Sequence, residues 1–233
     1  MPLVRLSNGK LLYYAHVPKA AGSAVENYLA ARFGPLGMLD RGFARRSPAE
    51  AWSLSPPQHI PDTLRAALLP DGLFDSIFTT IRHPATRLRS IFQFAREAER
   101  SLPWGLTFNR WLDDLPRVLA TDAYALNGHL RPMVDLVPAR AEIFRIEDGL
   151  DAVKTWLDTQ AGEEVDDDIG TANVRAARLA KLPAESRPQD IVLTPTHLSR
   201  IADIYSADYA RFGYDIDPVP TDKAPSHNPN PVR

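Results

Sequence analysis

"LLYYAHVPKAAGSAVENYL", Leu11 to Leu29, is the stretch whose reading decides the fold. Its first seven residues are nearly all apolar, carry two tyrosines and a valine, and lie between Gly9 and Pro18. Such a run suits a buried strand of a parallel sheet. Beyond the turn, Val25, Tyr28, Leu29 and Phe33 recur at helical spacing until Gly34-Pro35 stops the helix. In open α/β sheets, ligands gather at the carboxyl ends of strands. The junction here offers an anion unpaired backbone N–H groups and the positive end of a helix dipole. Lys19 adds a full charge, and Gly22 lets the backbone approach closely. A reading without a ligand also exists: Ser23 and Glu26 fit an S-x-x-E capping box, which leaves Lys19 a solvated turn residue. The loop is not a Walker A motif, because its lysine precedes the glycine.

"FDSIFTTIRHPATRLRS", Phe74 to Ser90, repeats the pattern. A β-rich run ends at Ile81, Arg82 stands at its carboxyl end, and Pro84 opens a helix with Leu88, Ile91, Phe92 and Ala95 on one face. Thr86 and Ser90 share a face aimed back at Arg82. An arginine fork with a hydroxyl is a phosphate clamp in outline. "AEIFRI" (Ala141–Ile146) reads as a third strand, with a helix from Glu147 to about Gln160. "THLSRIADIYSADYARFGYDI" reads as one closing helix. Strands alternating with helices predict an α/β fold, a mainly parallel central sheet flanked by helices.

The 233 residues, 44% hydrophobic and 24% charged, bound one sizeable core. Residues 1–217 are expected to form it, with 218–233, rich in Pro and Asn, a flexible tail. A net charge of −2 gives no global basic field, which argues against nucleic acid as a partner. The absence of cysteine excludes disulfides, thiolate zinc sites and cysteine nucleophiles. No signal-like or membrane-length apolar run is visible, so a cytoplasmic protein without a transmembrane segment is expected. Asp166–Asp168 lacks metal-ligand spacing and reads as a solvated loop, so no metal is expected.

Together "HVPKAAGSAVENYL" and "FTTIRHPATRLRSIF" resemble carbohydrate sulfotransferases of the heparan-sulfate 2-O-sulfotransferase type and their bacterial relatives. "SPPQHIPDTLRAALLPDGLFDSIF", "GHLRPMVDLV", "EIFRIEDGLDAVKTWL" and "IYSADYARFGYDI" resemble later family segments, so the likeness runs from about residue 10 to 216. It implies a P-loop-like sandwich and 3′-phosphoadenosine 5′-phosphosulfate (PAPS) as co-substrate. Lys19, Ala20, Ala21, Gly22, Ser23 and Ala24 would hold the 5′-phosphosulfate, and Arg82 and Ser90 the 3′-phosphate. Asn173 falls where relatives fold a loop over the nucleotide. Ala20 and Ala24 replace commoner hydroxyl residues, and His83 stands where Asp or Asn is commoner.

Sulfuryl transfer to an alcohol needs a base for the acceptor proton, and histidine is poised for that near neutral pH. The resemblance puts His59 in that role, with Lys19 stabilising the leaving group. His129 is the rival base and is read, with Arg131, as lining the acceptor cleft. His16 is read as packed and hydrogen-bonded. The acceptor implied is a hydroxyl on a glycan, glycolipid or small molecule. Two alternatives stay open: a catalytically silent PAPS- or glycan-binding protein, and a small-molecule kinase on a similar fold. The basic run Arg82, Arg87, Arg89, Arg96 and Arg100 reads mostly as solvated surface.

Overall fold

The computed structural model describes residues 1–217 other than 52, 173 and 185–186. Four strands lie in the order β1 (Leu3–Arg5), β2 (Leu11–His16), β3 (Ser76–Ile81) and β4 (Glu142–Arg145). β2, β3 and β4 run parallel, with Tyr14 opposite Phe78 and Thr80 opposite Phe144. β1 pairs antiparallel with β2, Val4 facing Leu12. In β2 and β3, Leu12, Tyr13, Tyr14, Phe78 and Thr79 are buried, on both faces of the sheet. Their near-continuous apolar composition suits a sheet with no wet face.

Helices α1 (Gly22–Phe33) and α5 (Asp151–Ala161) cover one face, where Val25, Leu29, Val153 and Leu157 pack with Leu12, Tyr14 and Phe78. On the other face Tyr13, Ala15 and Ile77 meet Met1, Ile60 and Phe74. Ile60 lies just ahead of α2 (Asp62–Leu68). A second apolar cluster joins α3 (Pro84–Phe94), α4 (Phe108–Thr121), α7 (Pro195–Ile204) and α8 (Ser206–Phe212). Short α6 (Arg175–Leu179) is tied down by Arg175, whose guanidinium meets Glu97 through two bonds of 2.8 Å. This is a mixed α/β arrangement, as the alternation of strands and helices predicts.

Three elements differ from the sequence reading. β1 has three residues, too few to show a period, and α4 carries Pro116 in its interior. The closing segment is two helices rather than one. It breaks at Tyr205 (φ −110°, ψ 30°), whose hydroxyl donates to the Leu130 carbonyl at 2.8 Å. The break also turns buried Asp208 inward to accept the amides of Met133 and Val134, each at 2.9 Å. Among the described residues no helix is long and apolar enough to cross a membrane. The expected tail, 218–233, lies outside the described residues.

Candidate active site

Between β2 and α1 the backbone enters the left-handed region twice, at Lys19 (φ 67°) and Ala21 (φ 62°). Neither is glycine, and each such residue costs about 1–3 kcal/mol of strain that its surroundings must hold. Turns of this kind aim successive N–H groups into one anion-binding concavity. The amides of Ala21 and Gly22 have no backbone acceptor among the described residues. Those of Ala20 and Ala24 are engaged inside the turn, by Val17 O at 3.3 Å and Ala21 O at 2.9 Å.

Three side chains hold this turn in place. Thr80 donates to Ala20 O at 2.6 Å, which leaves the Tyr14 hydroxyl to donate to Thr80, also at 2.6 Å. Arg82 reaches Lys19 O at 3.3 Å. Arg87, 1% exposed, donates from Nε to Pro18 O and from Nη2 to the carbonyls of His129 and Arg131. Arg87 is therefore not the solvated surface residue its sequence context suggests. It fastens the turn to the 129–131 segment.

The capping-box reading of Ser23 and Glu26 does not hold. The N-cap of α1 is Ala21, with no side-chain cap, and Glu26 turns inward to His16, whose Nδ1 it meets at 2.5 Å. Gly22 also differs in its reason. A β-carbon there would come within 2.1 Å of His16 Nε2, so the position is left bare for the His16 ring. Positive φ falls on its neighbours Lys19 and Ala21.

Three histidines from distant parts of the chain meet beside this turn. His16 and His59 ring centroids are 4.9 Å apart and nearly perpendicular, and His59 and His129 are 5.0 Å apart. All three are buried. His59 ends a short turn, Pro57–His59, and its Nδ1 lies 3.3 Å from the Asn127 carbonyl. A carbonyl only accepts, so Nδ1 carries the proton and Nε2 keeps its lone pair. Leu126, Asn127 and Gly128 all have positive φ (51°, 58° and 79°), a strained run that delivers this carbonyl. Burial, with His16 and His129 adding to it, holds the His59 imidazolium well below its usual pKa. Burial and the Lys19 charge push His129 down to about 3. His129 Nδ1 is buried without a partner among the described residues, a costly state for a polar atom that faces no ligand.

The Lys19 ammonium lies 3.7 Å from the centre of the Phe94 ring, at the end of α3 where a single π-helical turn (Ala95–Glu99) begins. Arg178 of α6 approaches the same ring at 5.9 Å. Burial, then the charges of Arg82 and Arg178, bring Lys19 down to about 8. Along α3, Arg82 Nε donates to Thr86 at 3.1 Å. Ser90 lies one turn further along from Thr86.

A family model described as Sulfotransferase family matches residues 4–215. The chain belongs to that family. Comparison with curated proteins and with solved structures returns no match.

In this sulfotransferase His83 performs the task an Asp or Asn performs at a helix mouth. Its Nδ1 caps α3 by accepting the Ala85 amide at 3.2 Å, while Nε2 donates to Asp215 O at 2.9 Å. Arg131 turns away from the histidines, donating to Ala123 O at 2.9 Å and lying over the Tyr124 ring. Asn173 lies outside the described residues. Asp166, Asp167 and Asp168 are exposed, as a solvated loop requires, and Asp167 and Asp168 also border a cavity of about 330 Å³ with Ala24, Asn27 and Tyr28 of α1. Glu26, Thr80, Arg87, Phe94 and Asn127 are site residues that the sequence reading missed. Only Asn127-Gly128 carried a signal, as a dipeptide that favours left-handed turns.

Proposed function

We propose that this sulfotransferase moves the sulfuryl group of PAPS to a hydroxyl of a carbohydrate-type acceptor. One observation carries the reading. A left-handed turn bearing Lys19 and a neutral histidine, His59, whose Nδ1 is engaged and whose Nε2 keeps its lone pair, meet at the carboxyl end of β2. The residues present fit the nucleotide: the Ala21 and Gly22 amides have no backbone acceptor among the described residues, and Arg82 and Arg178 both lie close enough to act on Lys19. The P-loop-like architecture belongs to this same reading.

PAPS, when bound, supplies the sulfuryl group, with adenosine 3′,5′-bisphosphate (PAP) as leaving group. Lys19 through Ala24 hold the phosphosulfate, Arg82 and Ser90 the 3′-phosphate, and the cavity beside Ala24 the nucleoside; the part of Asn173 rests on the family resemblance alone. His59 Nε2 takes the acceptor proton as the new S–O bond forms, and the old bridging pair leaves on PAP. Lys19 neutralises that developing charge. His129 faces the acceptor, and Arg131, its side chain turned to Ala123 and Tyr124, serves that side through the backbone carbonyl that Arg87 holds. Incubation with sulfur-labelled PAPS and a panel of glycans, glycolipids and phenols tests the reading. Transfer to a sugar hydroxyl is expected; tight PAP binding with no transfer to any of them favours a silent binding protein.

Two binding results should follow. Arg82→Ala should reduce the preference for PAP over AMP about ten- to a hundredfold, because a charge-assisted bond is worth about 1.5–3 kcal/mol. Calorimetry measures it, and an intact preference places the 3′-phosphate elsewhere. The second concerns pH. The free protein's Lys19 has been brought down to about 8, and an adjacent anion favours its charged form. PAP affinity should therefore hold below about pH 8 and decline above it, by no more than about tenfold per unit for one proton. The phosphates of PAP, with second pKa values about 6, stay ionised through that window. The same titration on Lys19→Ala should be flat; a decline there assigns the effect to another group.

A further inference from the structure

Glu26 is 4% exposed, and among the described residues its ion-pair partner is His16 alone. It sits within the first turns of a helix whose mouth is built to receive an anion. A carboxylate there repels the anion that the turn attracts, and burying it is costly in itself. A capping role does not account for it, since the carboxylate meets the buried His16 ring instead of a backbone amide of the first turn.

The contacts of His16 explain what the carboxylate does there. With Nδ1 on Glu26, the ring is fixed about its long axis. One side then rests against Gly22, where even a β-carbon would not fit, and the ring lies 4.9 Å from His59 at 81°. His59 is thus held by the Asn127 carbonyl at Nδ1 and by packing between the His16 and His129 rings. The groups that act on it electrostatically are His16 from β2, His129 from the segment after Gly128, and the Met1 amino group. None of these is an anion. When His59 takes a proton, the buried carboxylate available to this cluster is Glu26, one imidazole away.

We propose that the buried His16–Glu26 pair positions His59 for proton transfer and supplies the negative charge that stabilises its imidazolium, resting on the reading of His59 as the base. Because His16 also touches Gly22, the pair sets the base and the nucleotide turn in one register. His16 and Glu26 are positioning residues. Neither needs to contact a substrate.

The isosteric Glu26→Gln keeps the hydrogen bond and removes the charge, so it separates this role from packing. Ring Cε1–H signals of the full-length protein, with PAP bound, would be followed against pH by NMR, with His59 assigned through His59→Gln. Glu26→Gln should move the His59 midpoint to lower pH and slow single-turnover transfer from sulfur-labelled PAPS, by up to about a hundredfold. PAP affinity should be unchanged or tighter, because a negative charge has left the helix mouth. Adding Glu26→Gln to His59→Ala should cause no further loss. An unmoved midpoint with a normal rate overturns the proposal, as does a His59 that stays neutral down to acid unfolding in both proteins. His16→Asn carries the same comparison should the glutamine variant not fold. The underlying reading fails separately: His59→Ala retaining full chemistry removes the base, whatever Glu26→Gln does.

Discussion

Replacing Lys19 with alanine is expected to slow sulfuryl transfer about 10²–10³-fold, the usual cost of removing one group that meets developing charge. PAP should bind with a far smaller loss, because the turn keeps its amides and Arg82. The asymmetry follows from the position of the ammonium. In the free protein it rests against the Phe94 ring among Arg82 and Arg178, with its charge disfavoured by burial. The bridging oxygen that gains charge as the S–O bond breaks relieves that state, whereas in bound PAP the same charge is spread over phosphate oxygens that the turn amides would share. Single-turnover rates at saturating PAPS, set beside PAP calorimetry, measure the two effects separately. Near-wild-type turnover in Lys19→Ala would falsify the role.

His59→Ala should lose transfer by about 10²–10⁴-fold, the range of general-base catalysis, while still binding PAP. His129→Ala should be milder and appear mainly in the acceptor KM. The free protein holds His59 neutral well below the usual histidine range, chiefly through burial. Only the neutral form accepts a proton, so the rate should rise with pH through one ionisation and stay level above it. A bound anionic nucleotide moves that rise upward by favouring the imidazolium. The comparison is direct: if His129→Ala abolishes chemistry and His59→Ala keeps it, the base is the other histidine.

The strand–turn–helix units at Leu11–Phe33 and Ser76–Phe94 were legible because their signals are local. An apolar run, a proline or glycine and a helical period all sit within a few residues of one another. The histidine row was not, because His16, His59 and His129 come from three distant segments joined by tertiary packing. Glu26 shows how a local rule can mislead. S-x-x-E is a good capping pattern, yet the carboxylate finds a buried imidazole instead of a backbone amide. Arg87 was hidden for the same reason: its charge suggested solvent, and three carbonyls bring it inside. The split between α7 and α8 has neither Gly nor Pro to announce it; the demands of Tyr205 and Asp208 create it.

Arg87 also limits how this enzyme can be redesigned. One guanidinium grips Pro18 at the start of the turn after β2 and the carbonyls of His129 and Arg131. On the proposed assignment the donor and acceptor sites share a fastener and are not separate modules. A graft that replaces residues 123–137 to change acceptor choice would shift the carbonyls this arginine holds, and with them the turn proposed to hold the phosphosulfate. Selectivity for the acceptor and affinity for the donor would then drift together. Acceptor engineering has more freedom in side chains that leave the backbone at 129 and 131 where it is.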